Sequence, residues 1–274
     1  MTRANKTGPF SFDVSKYPSL PRLKGLFIAG TDTDVGKTLI AGAIARELRG
    51  RGMRVEVMKP AASGCRHTSA GLISSDAEFL AACAESRRTL ADIAPVRFSA
   101  ALSPNVAAQR EHRQIDLAAI FDSYARLEGT CDCVIIEGVG GLLCPISDDF
   151  WVIHLAKMMQ LPLVVVARPG LGTINHTLLT LHAATSAGLD VAGVVVNRYQ
   201  IEPATHQSLS RGEPSVRGDA ELAMFTNPQQ IAKLGKVDVL VIAPDEPENS
   251  VERVTIGPDT SYAISQVDWV SLMG

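Results

Sequence analysis

A short apolar run, Gly25–Ala29, ends in Gly30-Thr-Asp-Thr-Asp-Val-Gly36-Lys37-Thr38 and gives way at once to a helical pattern. Across Thr38–Arg49 the residues Leu39, Ile40, Ala43, Ile44 and Leu48 fall on one face. Strand, glycine turn and helix in that order are the setting a phosphate-binding loop requires. Glycine permits turns that aim several backbone N–H groups inward. The helix start adds the positive end of a dipole. Lys37 carries a full charge toward β- and γ-phosphates, and the Thr38 hydroxyl suits a magnesium shell. Five residues, Thr31 to Val35, separate the two glycines where the usual spacing is four, so a strict pattern passes over the loop. The alternative, a glycine turn with an accidental Lys-Thr, has to explain three features in register. By itself such a loop means nucleotide and leaves open a switch, a motor, a kinase or a ligase.

The rest of the chain alternates in the same way. Val55–Met58, Cys133–Ile136, Leu163–Ala167, Val191–Val196 and Val237–Ile242 read as strands. Ser75–Ala84, Asp116–Leu127 and Thr173–Ala187 read as helices, with Ser75 or Asp116 as caps and Gly188 as a stop. The pattern predicts an α/β fold: a mostly parallel sheet flanked by helices on both faces, P-loop NTPase-like, with right-handed crossovers and ligands beyond the carboxyl ends of the strands. Residues 1–24 read as a mobile N-terminal extension, 25–250 as the α/β domain and 251–274 as a C-terminal extension. Within the last, Val267–Leu272 reads as an edge strand or a simple terminus. Residues 200–220, with Pro203, Gly212, Pro214 and Gly218, read as a loop.

A net charge of −3 without a basic block gives no reason to expect a nucleic-acid partner. No apolar run approaches the ~20 residues of a membrane helix. The first residues lack the apolar core of a secretory signal. Five cysteines, with Cys131 and Cys133 as a lone CxC, fit reduced thiols of a cytoplasmic protein better than a zinc or disulfide framework.

Four further motifs end strands or open helices. Lys59-Pro60-Ala-Ala-Ser63-Gly64 follows the second strand; Lys59 suits charge stabilisation beside phosphates, although alone it reads more readily as a surface lysine beside a Pro turn. Asp76 in Ser74-Ser75-Asp76 is explained as well by the helix dipole as by a metal. Glu137 ends an apolar strand before Gly138-Val139-Gly140-Gly141, the position where phosphate-loop proteins place a metal-binding carboxylate. Asn197-Arg198 ends another strand; Asn offers a donor and an acceptor to a base edge, or simply a turn.

Taken together, GTDTDVGKT, KPAASG, SSDA, LSPNVAA, EGVGG, RPGLGTINHTLLT and AGVVVNR, in this order, resemble the dethiobiotin synthetase family from about Gly25 to Asp245. The five-residue spacing in the phosphate loop is normal for that family. The resemblance implies an ATP- and Mg²⁺-dependent ligase that joins 7,8-diaminononanoate and CO₂ into dethiobiotin, working as a cytoplasmic homodimer. It implies Lys37 and Lys59 as catalytic residues and Thr38, Asp76 and Glu137 as magnesium ligands. Nucleotide contacts fall to Asp34, Val35, Gly36, Lys37, Thr38, Leu39, Asp76, Glu137, Gly138, Val139, Gly140, Asn197, Arg198 and Pro244. Substrate contacts fall to Thr33 and Ser63, and to Gly172 and Asn175 in a stretch that resembles a dimer interface. Departures are Asp34, where the family often has Glu, Arg198, where some members have Asp, and the acidic run after Pro244, which lacks an aromatic. Two other readings are a ParA- or MinD-like ATPase switch, which usually has an extra lysine early in the loop, and a cobyrinate-amidase-type ligase, which usually carries a glutaminase domain. Gly30–Val35 has no lysine, and the chain has no room for that domain.

Overall fold

The computed structural model describes residues 12–69, 71–200 and 218–274. In chain order the elements are β1 (Gly25–Gly30), α1 (Lys37–Gly50), β2 (Val55–Met58), β3 (Ala61–Ala62), β4 (Arg66–Thr68), β5 (Gly71–Ile73), α2 (Ser75–Ala84), α3 (Leu90–Ile93), β6 (Val96–Arg97), α4 (Pro104–Arg110) and α5 (Leu117–Ala125). They continue with β7 (Cys133–Gly141), α6 (Val152–Met159), β8 (Leu163–Ala167), α7 (Thr173–Ser186), β9 (Val191–Tyr199), α8 (Asp219–Gly235), β10 (Val239–Pro244) and α9 (Pro258–Ser265).

Six strands form one sheet in the order β10-β9-β8-β1-β7-β2, and every adjacent pair is parallel. All six residues of β1 are buried, because side chains of one strand feed both faces. Leu26 and Ile28 pack with Ile40, Ile44 and Leu48 of α1; Phe27 and Ala29 join the cluster containing Phe121 of α5, Leu155 of α6, Leu181 of α7 and Ile231 of α8. The chain steps from β1 past one strand position to β2, returns to β7 between them, then crosses to β8 beyond β1. That reversal of strand order opens a crevice at the carboxyl ends of β1 and β7.

Local choices follow simple physics. Asp116 caps α5, accepting from Ala119 N at 2.9 Å. For α2 the cap is Ser74, not Ser75; its hydroxyl accepts from Ala77 N at 3.3 Å, and Ser75 is the first helical residue. α1 starts after Gly36 with no side-chain cap, so its first amides face the crevice.

The chain ends differ from the sequence reading. Residues 12–24 are not a free extension: Phe12 stacks on His154 with ring centroids 4.2 Å apart, Tyr17 packs on Phe121 and Phe150, and Leu20 and Leu23 lie against the same cluster. Apolar burial by these scattered residues outweighs the polar character of the segment. Residues 1–11 lie outside the described residues. Val267–Leu272 forms turns rather than a strand, and Trp269 is fully buried with Nε1 donating to Ile264 O at 2.9 Å. The packed unit therefore runs beyond residue 250, through α9 to Met273. The loop expected over 200–220 lies, for 201–217, outside the described residues; its last two positions already belong to α8.

Candidate active site

The phosphate loop takes its shape from two positive-φ residues and one strut. Gly36 has φ +91°, and Asp34 has φ +57°, a conformation short polar side chains tolerate best after glycine. The fully buried Asn197, from β9, donates from Nδ2 to Val35 O at 2.9 Å. A Cβ on Gly36 would stand 1.9 Å from that same Nδ2, so only glycine fits between strut and loop. Asn197 Oδ1 is buried without a hydrogen-bond partner. Lys37 Nζ donates to Asp32 O at 2.8 Å, across its own loop. Burial, and then the neighbouring Lys59 charge, hold the Lys37 ammonium below the usual lysine range.

Beside the loop, sheet register builds a charged cluster. β2 pairs Met58, its last residue, with Ile136 of β7, so the next residues, Lys59 and Glu137, stand side by side, Glu137 still within β7. β1 pairs Ile28 with Glu137, which sets that carboxylate next to the phosphate loop. The first turn of α2 brings Asp76. Lys59 Nζ lies 2.5 Å from Glu137 Oε1 and 2.8 Å from Asp76 Oδ2. Thr38 Oγ1 donates to Glu137 Oε1 at 2.8 Å. Burial opposes the charge on Lys59, but Glu137 and Asp76 outweigh it and hold the ammonium well above its ordinary range. Burial also raises Asp76, and there the Lys59 charge, with the Thr38 hydroxyl and Lys37, wins and holds it below the usual carboxylate range. Glu137 is raised by burial, with Lys59 opposing.

Glu137 Oε2 is buried with no partner. An orphaned carboxylate oxygen beside a hydroxyl and a second carboxylate is an all-oxygen donor set, which suits a hard cation such as magnesium. Among the described residues no three His, Cys, Asp or Glu side chains gather as a metal site on their own, so phosphate or water oxygens would have to complete a shell.

These groups line one cleft of about 860 Å³. Thr33, Asp34, Gly36 and Lys37 form its floor; Lys59, Ser63 and Ser103 line the side toward β2; Arg198, Asp245 and Glu246 line the side toward β9 and β10.

A family model described as an AAA domain matches residues 24–253. The ATP-dependent dethiobiotin synthetase BioD of Bacillus subtilis (strain 168) is 35% identical over 223 residues, covering 81% of this chain and 87% of the relative. That of Thermodesulfovibrio yellowstonii is 36% identical, covering 84% and 92%, and that of Anaeromyxobacter sp. (strain K) 38%, covering 86% and 96%. The chain belongs to the dethiobiotin synthetase family. Solved structures share the fold at low identity: the MinC:MinD cell division complex of Aquifex aeolicus aligns with a TM-score of 0.53 at 15% identity over 90% of this chain and 94% of that one. An ATP complex of McdA from Cyanothece gives 0.52 at 12%, over 91% and 96%. That likeness is one of fold.

Of the residues that resemblance to the synthetase family singled out, Thr33, Asp34, Gly36, Lys37, Thr38, Leu39, Lys59, Ser63, Asp76, Glu137, Val139, Gly140 and Arg198 line the cleft. Lys59 is a buried residue, so the surface-lysine alternative does not hold. Asp76 stands in the first turn of α2, as the dipole reading has it, and its carboxylate also pairs with Lys59 at 2.8 Å. Val35 and Asn197 sit beneath the loop and are not part of the cleft wall. Gly138 lies against Phe27 and Val152, and Pro244 is buried at the end of β10, just before Asp245. Gly172 and Asn175 are exposed at the start of α7, away from the cleft. Cleft residues not singled out include Ser75, Ser103, Cys144, Glu246 and Asn249. Ser103 had a signal, since it lies in the family-like LSPNVAA stretch; Cys144 and Asn249 had none.

Proposed function

We propose that this chain makes dethiobiotin, as an ATP-dependent ligase that forms C–N bonds. The observation that carries the reading is the meeting of Lys37, Lys59, Asp76, Glu137 and Thr38 at the open start of α1, in a family whose curated members are named for this reaction. The substrates are 7,8-diaminononanoate, CO₂ and ATP.

One amine of the diamino acid takes up CO₂ as a carbamate. A carbamate oxygen attacks the γ-phosphorus of ATP and ADP leaves. The second amine attacks the carbonyl of the resulting mixed anhydride, closes the cyclic urea and expels phosphate; the amine protons pass to solvent or phosphate. This chemistry needs positioning and charge neutralisation rather than a protein nucleophile. The uncapped α1 amides and Lys37 hold the β- and γ-phosphates, Lys37 exchanging Asp32 O for phosphate oxygen. Lys59, on the β2 side, faces both the transferring phosphoryl group and the carbamate. Thr38, Asp76 and Glu137 would hold Mg²⁺, which when bound supplies neutralisation of phosphate charge. Thr33 and Ser63 offer hydroxyls to the diamine. Arg198 and the chain after Pro244 serve the nucleoside side, while Asn197 braces the phosphate loop from beneath.

The protein works as a homodimer in the cytoplasm in this reading. Gly172 and Asn175, exposed beside Leu171, which is 84% exposed, would meet a second subunit and its substrate. Among the described residues no helix is long and apolar enough to cross a membrane.

The test is to incubate purified protein with diaminononanoate, bicarbonate, Mg²⁺ and each nucleoside triphosphate in turn, and to seek the cyclic urea by mass. A product that requires ATP is expected; phosphate release without a cyclic urea would overturn the reading in favour of an ATPase switch.

A further inference from the structure

The β10 side of the cleft is not held by β10 alone. After Pro244, residues Asp245, Glu246, Asn249, Ser250, Val251 and Glu252 form the rim. Glu246 Oε1 accepts from Asp259 N at 3.0 Å, and Oε2 accepts from Thr260 N at 2.6 Å and from the Thr260 hydroxyl at 2.5 Å. Asn249 Nδ2 donates to Thr260 Oγ1 at 2.9 Å, and Asn249 Oδ1 accepts from Gly257 N at 2.8 Å. Thr260 is fully buried and does not line the cleft. The rim is thus tied to the start of α9 by two bonds to the buried Thr260 hydroxyl and by three from the backbone amides of Gly257, Asp259 and Thr260.

That helix is itself anchored to the helix that begins at the phosphate loop. Arg51, which caps the end of α1, donates to Ser265 O at 3.1 Å and Val267 O at 3.2 Å, and Arg46 of α1 donates to Val254 O at 3.4 Å. Ile264 and Trp269 are buried against the same core as Ile40 and Ile44. The rim and the phosphate loop are therefore referenced to one rigid element, although the family model ends at residue 253, before α9. With phosphates at Lys37 and the acceptor side at Lys59 and Ser63, the nucleoside extends along the remaining direction, toward Arg198 and this rim.

We propose that Thr260 is a positioning residue for the nucleoside end of the cleft. Through Glu246 and Asn249 it keeps the rim in its bound arrangement, so that nucleotide binding does not have to order it. Loss of the hydroxyl makes that ordering part of the binding event, which weakens ground state and transition state alike and leaves phosphoryl transfer unchanged. This rests on the nucleotide reading of the cleft.

The experiment compares wild type, Thr260→Val, which keeps the shape but removes the hydroxyl, Thr260→Ser, which keeps the hydroxyl, and Phe12→Ala, a destabilised control remote from the rim. Calorimetry with a non-hydrolysable ATP analogue and Mg²⁺ gives Kd; turnover gives kcat and KM; thermal melts give Tm. Thr260→Val is expected to raise Kd and the KM for ATP about tenfold with kcat held within about twofold, while Thr260→Ser stays near wild type. Phe12→Ala should lower Tm without moving Kd. Unchanged Kd in Thr260→Val, an equal rise in Phe12→Ala, or a fall in kcat at constant Kd would each overturn the proposal. If Thr260→Val does not fold, Thr260→Ala must raise Kd in its place, and an unchanged value overturns the proposal equally. A wild type that binds the analogue but forms no dethiobiotin would sink the proposed reaction, and the Kd comparison would still decide the role of Thr260.

Discussion

Lys59 Nζ lies 2.5 Å from Glu137 Oε1, with both side chains withdrawn from water and 78 positions apart in the chain. One register step past Met58 and Ile136 produces this neighbourhood. A buried ammonium is costly to desolvate, and here the Glu137 and Asp76 carboxylates offset that cost.

Replacing Lys59 by alanine is expected to lower turnover about 10²–10³-fold while nucleotide binding persists, as for loss of one electrostatic contact to a transition state. Steady-state assay of the cyclic urea, beside calorimetry of a nucleotide analogue, separates the two. Turnover within a few-fold of wild type would remove Lys59 from the chemistry.

The same pair governs stability. Lys59→Met strands Glu137 as an unpaired buried carboxylate and should cost roughly 3–5 kcal/mol. The double variant Lys59→Met, Glu137→Gln removes both charges and should recover part of that loss. Denaturant unfolding of the single and double variants gives the coupling directly; additive losses would mean the two groups do not interact.

At the phosphate loop, Gly36→Ala meets both a left-handed φ and the Asn197 amide. It should abolish measurable nucleotide binding and destabilise the fold. Adding Asn197→Ala removes the clash but leaves the backbone penalty of about 1–2 kcal/mol, so melting should recover only in part. Full recovery in the double variant would show that φ is not a constraint.

His154 gives a pH signature. Burial, with Lys157 adding to it, holds its imidazole below the ordinary value of 6.5. The folded state therefore favours the neutral ring; the stability gained is complete above the unfolded value and is lost as pH falls through the folded one. Melting temperature should drop more steeply on acidification below about pH 6.5 in wild type than in His154→Asn, which retains an acceptor for Trp151 N. Parallel curves would assign the acid loss elsewhere.

Removal of divalent cations by chelation should stop turnover, and Thr38→Ala should shift the half-saturating Mg²⁺ concentration upward by about tenfold or more. Titration of activity with Mg²⁺ in both proteins measures the shift; identical curves would take Thr38 out of the metal shell.

Much of the fold was legible because parallel strands buried on both faces are unbroken apolar runs, as at Leu163–Ala167, and because Gly36-Lys37-Thr38 admits few other uses. What escaped lay where partners are distant in sequence. The apolar residues Phe12, Tyr17, Leu20 and Leu23 are too scattered for any period, and their target, around Phe150, appears only after folding. α8 was hidden by Asn227-Pro228 within it, which reads as a break; there Asn227 Nδ2 ties the helix to Pro169 O at 2.7 Å. α9 was hidden because Gly257-Pro258 marks a turn as readily as a helix start. Within the site, Lys59 and Asp76 each had a plain structural explanation alone, and only the β2–β7 register together with the packing of α2 brings them to one another.

The Asn197 strut beneath Val35 has a consequence for synthesis. The glycine hairpin emerges early from the ribosome, yet the amide that braces it is translated more than half a chain later. A polypeptide ending before β9 therefore carries the complete anion-binding motif without its brace.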